Sequence, residues 1–520
     1  MTTVSNRSRP QTRRPGFARL LRAEWTKFRT VRGWVIGLAI AALVTVLLGL
    51  FSASGSQSSC GGPTDVCPAV PIGPGGEAVD DKFYFVHRSL QGDGSITVRL
   101  TSMTGQVRLP DATPGVRNVI SKVEPWAKAG VMVKDGTRQG SAYAALMLTG
   151  AHGVRMQYNY THDVAGGPGG VSRTSPRWLR LVRSGDDLTG YESADGSRWS
   201  KVGTARLAGL PATVRIGLFA ASPGDLTVTQ ADLGGVVAAS RFAQATGVFE
   251  SVSVRGGTSG GAWSHDDLGA TKEPDGTIHH PGGVVESGGT FTVTGVGDIA
   301  PRTDGMTIEK TLSGLPAGLI VVIVVAVVFI TAEYRRGLIR TTLLASPGRG
   351  RVLAAKAVVL AALTFLAGLV AAGVTMPVGA HILRSNGNYI LPVASLTQLR
   401  VVAGTAALVA VVAVLALALG TVFRRSAPAI TTALVLVILP RILATTSVLP
   451  VDAARWLLRL TPAAGFAIQQ SIPAYPQVTA SFSPQAGWYP LPPWAGLAVC
   501  GGYAALALGL AVLLLRRRDA

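Results

Sequence analysis

Charge is scarce in this chain. Only 15% of its 520 residues are charged, against about 25% in an ordinary soluble domain. A deficit of that size excludes a disordered chain and a coiled coil, both of which need more charge. Acidic residues are scarcest outside residues 53–314, where only Glu24, Glu333, Asp452 and Asp519 occur. Beyond residue 315 the single histidine is His381, and no His-Glu-x-x-His is present, which removes a zinc protease. None of the nine lysines follows a glycine, so no Gly-Lys-Ser/Thr phosphate loop can form. No paired-carboxylate site exists there either. The residues offer no catalytic group, no metal site and no cofactor held by this chain itself.

Three cysteines are present. Cys60 and Cys67 lie close together after the first apolar run, and Cys500 lies inside the last. A short-loop Cys60–Cys67 disulfide is open to them in an oxidising compartment, with two free thiols as the alternative.

What is abundant is apolar: 48% of residues are hydrophobic and mean hydropathy is +0.37. Six runs meet the length of about 20 residues that a spanning helix needs. They are Gly33–Ser52, Leu315–Ala332, Val352–Val378, Val401–Phe423, Ala427–Leu449 and Trp494–Leu515. The first has an apolar core longer than the 7–15 residues of a signal peptide and reads as an uncleaved helix. The fifth is interrupted by Pro440 and Arg441. An intramembrane charge is a functional candidate by default, and a side chain in the outer half can also snorkel to the headgroups.

The net charge of +20 suggests a nucleic-acid binder until its distribution is examined. Residues 53–314 are nearly neutral, with 23 basic and 24 acidic residues, and the excess flanks the apolar runs. Alternating six helices places 20 basic residues in four inner segments and five in the short outer loops. The positive-inside rule then puts both termini in the cytoplasm and residues 53–314 outside a plasma membrane. No nucleic-acid partner is expected; the lipid bilayer is.

The expected domains are a basic tail with an interfacial helix (1–32), helix 1 (33–52), an extracytoplasmic β-rich block (53–314) and helices 2–6 (315–520). Within 17–31, Phe17, Leu20, Leu21, Trp25, Phe28 and Val31 share one sector of a helix and arginines face away, as in a helix lying in the headgroup plane. Glu24 falls inside the apolar sector. Two readings stand: local pairing with Lys27, or an ion pair with an arginine of the next inner loop. Glu333-Tyr334-Arg335-Arg336-Gly337-Leu338-Ile339-Arg340 follows helix 2, and Pro347-Gly348 stops the pattern.

The outer block reads as short strands between turns: 83–86, 95–100, 142–148, 153–158, 178–182 and 214–219, with Gly92-Asp93-Gly94 and Asp195-Gly196-Ser197 as turn signals. A β-sandwich spans about 77–235 and a second, degenerate β unit about 245–314, with Thr290–Thr294 as one strand. Gly257-Thr258-Ser259-Gly260-Gly261 fits Gly-x-Ser-x-Gly in form but precedes no helical pattern, so it reads as a flexible turn. His265-Asp266-Asp267 with His279-His280, and Asp186-Asp187, read as turn residues. Asn159-Tyr160-Thr161 is a sequon.

Two resemblances rest on these residues. Ala127–Val133 with Ser141–Leu148, and Trp178–Arg183 through Tyr191–Gly196 to Trp199, resemble a concanavalin/laminin-G-like sandwich module. Relatives of that module often bind carbohydrate, so a glycan ligand is implied. Residues 333–351, the stretch Arg22–Thr30, Trp456–Phe466 and the closing Leu515–Ala520 resemble permease subunits of ABC-2 type transporters. The resemblance covers roughly 17–52 and 315–520, and the large insertion departs from it. It implies an α-helical polytopic protein with an all-β extracytoplasmic insertion between helices 1 and 2. It also implies a permease, an exporter rather than an enzyme. The permease would pair with a second permease subunit and be driven by a separate ABC ATPase that binds the ATP. Glu24, Trp25, Glu333, Arg335, Arg336 and Arg340 become the expected ATPase-coupling surface. The alternative is a membrane-anchored surface receptor whose sandwich binds glycan.

Overall fold

A computed structural model describes residues 16–58, 69–110, 118–230, 236–258, 262–272, 278–337, 348–446 and 448–517. An amphipathic helix, α1 (Phe17–Thr30), leads directly into α2 (Arg32–Ser54). The β domain follows, and then five more long helices: α3 (Leu315–Arg335), α4 (Arg349–Ser385), α5 (Ser395–Phe423), α6 (Ser426–Thr445) and, after a short α7 (Val451–Leu460), α8 (Pro493–Arg517). Helices α2, α3, α4, α5, α6 and α8 are long and apolar enough to cross a membrane. The chain is a multi-pass membrane protein by that measure, with an all-β domain inserted between its first span and the rest.

In the bundle α5 is central and α2 and α8 are peripheral, as their burial shows. Leu319, Ile323, Val412 and Ala416 fill the middle of the bundle. Small residues let helices approach closely without a hydrophobic driving force between them. A Cβ on Gly318 of α3 would collide with the Thr45 hydroxyl of α2. The segment after α6 divides in two. In α7, Trp456 and Leu460 stay exposed, whereas Pro462–Gln469 forms a buried 3-10 stretch packed on α5, α6 and α8.

The β domain is dominated by one 14-stranded sheet that nearly closes on itself, with three two-stranded pairs beside it. Its central order is β10 (Ser200–Arg206), β9 (Asp187–Ser193), β8 (Arg177–Ser184), β2 (Phe83–Arg108), β11 (Thr213–Ala221), β4 (Lys128–Lys134), β5 (Tyr143–Thr149), β6 (Val154–Tyr158) and β7 (His162–Ala165). The far strands fold over, so that β10 lies against β6 and β7. Period-two alternation explains the inner core: Leu179 and Leu181 of β8 point in, as do Val131 and Val133 of β4 and Leu146 and Leu148 of β5. Strands β4 and β5 are buried on both faces, and Met132, Tyr143 and Met147 form a second core on the other side.

The sandwich expectation differs from the structure in two ways. Gly92-Asp93-Gly94 does not reverse the chain. Strand β2 continues through it for 26 residues, and Gly92 takes a left-handed φ of 68°. A Cβ on Gly94 would meet the Arg255 carbonyl, so the strands approach there too closely for any larger residue. Nor do the longer described strands of the expected second unit, about 245–314, form a sheet of their own. Strand β14 (Ala243–Thr258) runs back along β2 with three register shifts and carries β19 (Thr290–Val296) on its other edge.

The strands that enter and leave the domain, β1 (Val79–Asp81) and β20 (Ile299–Pro301), pair with each other. Buried lysines of β4 hold them to the sheet. Lys134 Nζ donates to Asp81 Oδ2 at 2.8 Å, and Lys128 Nζ donates to Asp298 and to the Ile299 carbonyl. Beyond β20 the chain reaches α3 through a 3-10 turn, Ile308–Leu312. There Glu309 accepts from the Ser471 backbone and hydroxyl.

Candidate functional site

At the end of the bundle away from the β domain, α1 lies across α3 and α4. Its apolar face is real, and Phe28 is buried against Trp34 and Phe329 with ring centroids 4.9 to 5.8 Å apart. Glu24 sits on that face at 3% exposure. Isolated in a dry environment, its carboxylate would cost several kcal/mol. It is not isolated. Lys356 of α4 donates to Glu24 Oε2 and to Glu333 Oε1, both at 2.6 Å. Lys27 closes the ring, 3.1 Å from Glu24 and 3.3 Å from Glu333. Two carboxylates and two ammonium groups from three helices thus balance to zero charge.

Lys356 is fully buried, with its ammonium 4.8 Å above the Phe329 ring. Withdrawal from water acts to lower the Lys27 pKa, but the charges of Glu24 and Glu333 outweigh it and hold the ammonium above its ordinary value. Glu333 Oε2 is buried with no hydrogen-bond partner among the described residues. The cluster is therefore tightly but incompletely satisfied.

One of the two readings of Glu24 is met as stated. The local pair with Lys27 is present, and so is a long-range pair. Its partner, however, is Lys356 of α4 rather than an arginine. The sequence carried a signal for this: Lys356 is the sole lysine after residue 315, among fifteen arginines. A compact ammonium with three donors can bridge two carboxylates where a planar guanidinium would not fit.

The other expected coupling residues do not join the cluster. Trp25 is 45% exposed and takes no part in the ion cluster. Arg335 and Arg336 are exposed where α3 ends. Arg340 lies outside the described residues, as do Cys60 and Cys67. Nearby, Arg424 takes a left-handed φ of 57° after α5 and stands 5.5 Å over the Tyr334 ring. Arg349 ties α4 to the Leu515 carbonyl of α8.

At the opposite end, Arg441 is half-buried and stacks 4.3 Å over Phe466. In the β domain, His87 Nε2 lies 2.7 Å from Asp266 Oδ2, and His265 stacks on Tyr84. Asp186 accepts from the Gly209 N–H. Asn159 and Tyr160 form a left-handed hairpin turn. Gly257 lies in β14, and Ser259 is outside the described residues. Among the described residues no group of three His, Cys, Asp or Glu side chains is arranged to hold a metal.

No family model matches the chain, and no curated protein does. Among solved structures, a functionally unknown protein from Saccharomyces cerevisiae is similar over 36% of this chain and 82% of its own, at 14% identity and a TM-score of 0.24. A scytalido-glutamic peptidase with a peptide-based transition-state analogue is similar over 41% of this chain and 98% of its own, at 9% identity and a TM-score of 0.25. Superpositions this loose carry no argument about chemistry.

Proposed function

We propose that the chain is the membrane-spanning permease subunit of an ABC-2 type transporter, an exporter, working with a second permease subunit and a separate ATPase. In this reading the α1 end of the bundle is cytoplasmic and the β domain lies outside the plasma membrane. The observation that carries it is the clasp of Glu24, Lys27, Glu333 and Lys356. It joins α1 to α3 and α4, the helices at either end of residues 333–351, which the resemblance ties to ATPase coupling. A force applied to that segment or to α1 would therefore be felt by α3 and α4 together. The lack of any phosphate loop in the sequence makes a partner ATPase the source of work.

Purification from native membranes followed by mass spectrometry tests the reading. An ATPase subunit should co-purify with the chain. Replacing Arg335 and Arg336 with Ala should cut its capture and its stimulated ATP turnover, and undiminished values for both would refute the assignment.

A second reading is a surface receptor for glycan. One observation favours it: the outward row Thr97, Arg180 and Tyr191 across β2, β8 and β9, with Arg180 3.8 Å over the Trp199 ring. Aromatic and planar polar side chains on an open sheet face suit a sugar ring. Retention of the chain on immobilised glycan, lost in W199A, without any co-purifying ATPase, would favour it over the first.

A further inference from the structure

At the β-domain end of the bundle a cavity of about 400 Å³ opens between the ends of α2, α4 and α6, the approach to α3, and residues 469–489. Arg441 lines it one turn before α6 ends. Stacking on Phe466 fixes the guanidinium plane, yet Nη1 is buried without a hydrogen-bond partner. Among the described residues no carboxylate lies within ion-pair distance of Arg441 or of Lys310, which lines the same cavity. Glu309 is the one carboxylate in the wall, and both its oxygens are taken by Ser471. Burial pushes that carboxyl above its ordinary range. Behind the wall, Arg400 donates to the Gln470 carbonyl at 2.8 Å and leaves its own Nη1 buried without a partner. Trp488 and Tyr489 complete the lining.

An orphaned guanidinium nitrogen in a dry site is costly, and the group that best repays it is an oxyanion that accepts two parallel N–H bonds. The cavity sits where helix ends meet the headgroup layer. Its volume suits a headgroup and not acyl chains. We infer that this cavity binds the phosphate of a phosphate monoester or diester, presented either by a lipid headgroup or by a free organic phosphate. The inference needs only the membrane assignment and stands whether or not an ATPase partner exists.

The test uses the full chain purified in a neutral detergent and titrated with three probes: dihexanoyl phosphatidylglycerol, glycerol phosphate, and uncharged dihexanoylglycerol. Saturable binding of the first alone identifies a lipid headgroup. Equal binding of the first two identifies a free phosphate. R441Q should weaken binding about tenfold or more, as expected for loss of a charged bidentate contact. R441K keeps the charge without the fork and should fall between R441Q and wild type, while K310Q should weaken binding a few-fold. If R441Q does not fold, R441K and K310Q carry the same test. Failure of both phosphates to bind, equal binding of dihexanoylglycerol, or affinities unchanged in R441K and K310Q would overturn the proposal.

Discussion

Fully buried lysines occur in both halves of this molecule, and they are satisfied differently. Lys134 in the β domain meets one carboxylate, Asp81, and completes its donors with the Ser141 carbonyl and the Tyr160 hydroxyl. Lys356 in the helical bundle meets two carboxylates and, among the described residues, no backbone oxygen. The cause is the backbone. Strand ends and loops leave carbonyls free to accept, whereas helix carbonyls are already committed to their own turn. A lysine among helices must therefore recruit side chains, and every recruited carboxylate brings a charge of its own. The clamp in the β domain is self-contained. The bundle clamp depends on each of four charges from three helices, so it responds to whatever moves any one of them.

Breaking each clamp sharpens the contrast. K356M strands two carboxylates against Lys27 alone and should cost about 5 kcal/mol, at the upper end for a broken buried ion network. Thermal unfolding in detergent would read the loss. The double change K356M/E333Q should recover most of it, because Glu24 then stays paired with Lys27 one to one and no unpaired charge remains. D81N leaves Lys134 with neutral acceptors and should cost about 3 kcal/mol. Limited proteolysis should then detect β1 and β20 loosening from the sheet, with the bundle unaffected.

A smaller effect concerns pH. Burial holds the His87 pKa below its ordinary value, against the pull of Asp266. The folded state therefore favours the neutral ring. Its contribution is complete above the unfolded pKa of about 6.5 and is lost as pH falls below that. Denaturant midpoints of the β domain should drop on acidification through this range, and H87Q should flatten the profile. The smallest effect belongs to W25A. An exposed side chain outside the cluster should change stability by no more than about 0.5 kcal/mol, while a role in docking would show as lost ATPase capture at normal stability.

Much of this architecture was legible in sequence because it depends on local pattern. Apolar runs located the six long helices to within a few residues at most ends, and short β-prone runs between turn signals located the strands at 143–149, 177–184 and 290–296. The insertion between the first span and the rest followed from the same patterns. What stayed hidden depends on which distant segments meet. Gly92-Asp93-Gly94 carries the composition of a turn, but its neighbours on both sides pair along β14, so the strand runs on. Glu24 could be recognised as misplaced on an apolar face, yet its main partner lies 332 residues away on α4. Helix rotation within the bundle decides that pairing, and local periodicity does not encode it. Arg441 stood out as a lone charge, but the cavity beside it is built from five separate segments.

In the proposed topology the two clamps lie on opposite sides of one bilayer, the bundle clamp inside and the β domain outside. Impermeant maleimide labelling of intact cells tests it, with single cysteines at position 198 in the β domain and position 25 on α1 in a background whose native cysteines are replaced. The account predicts that position 198 labels at once and that position 25 labels only after permeabilisation. Equal labelling of both in intact cells would contradict it.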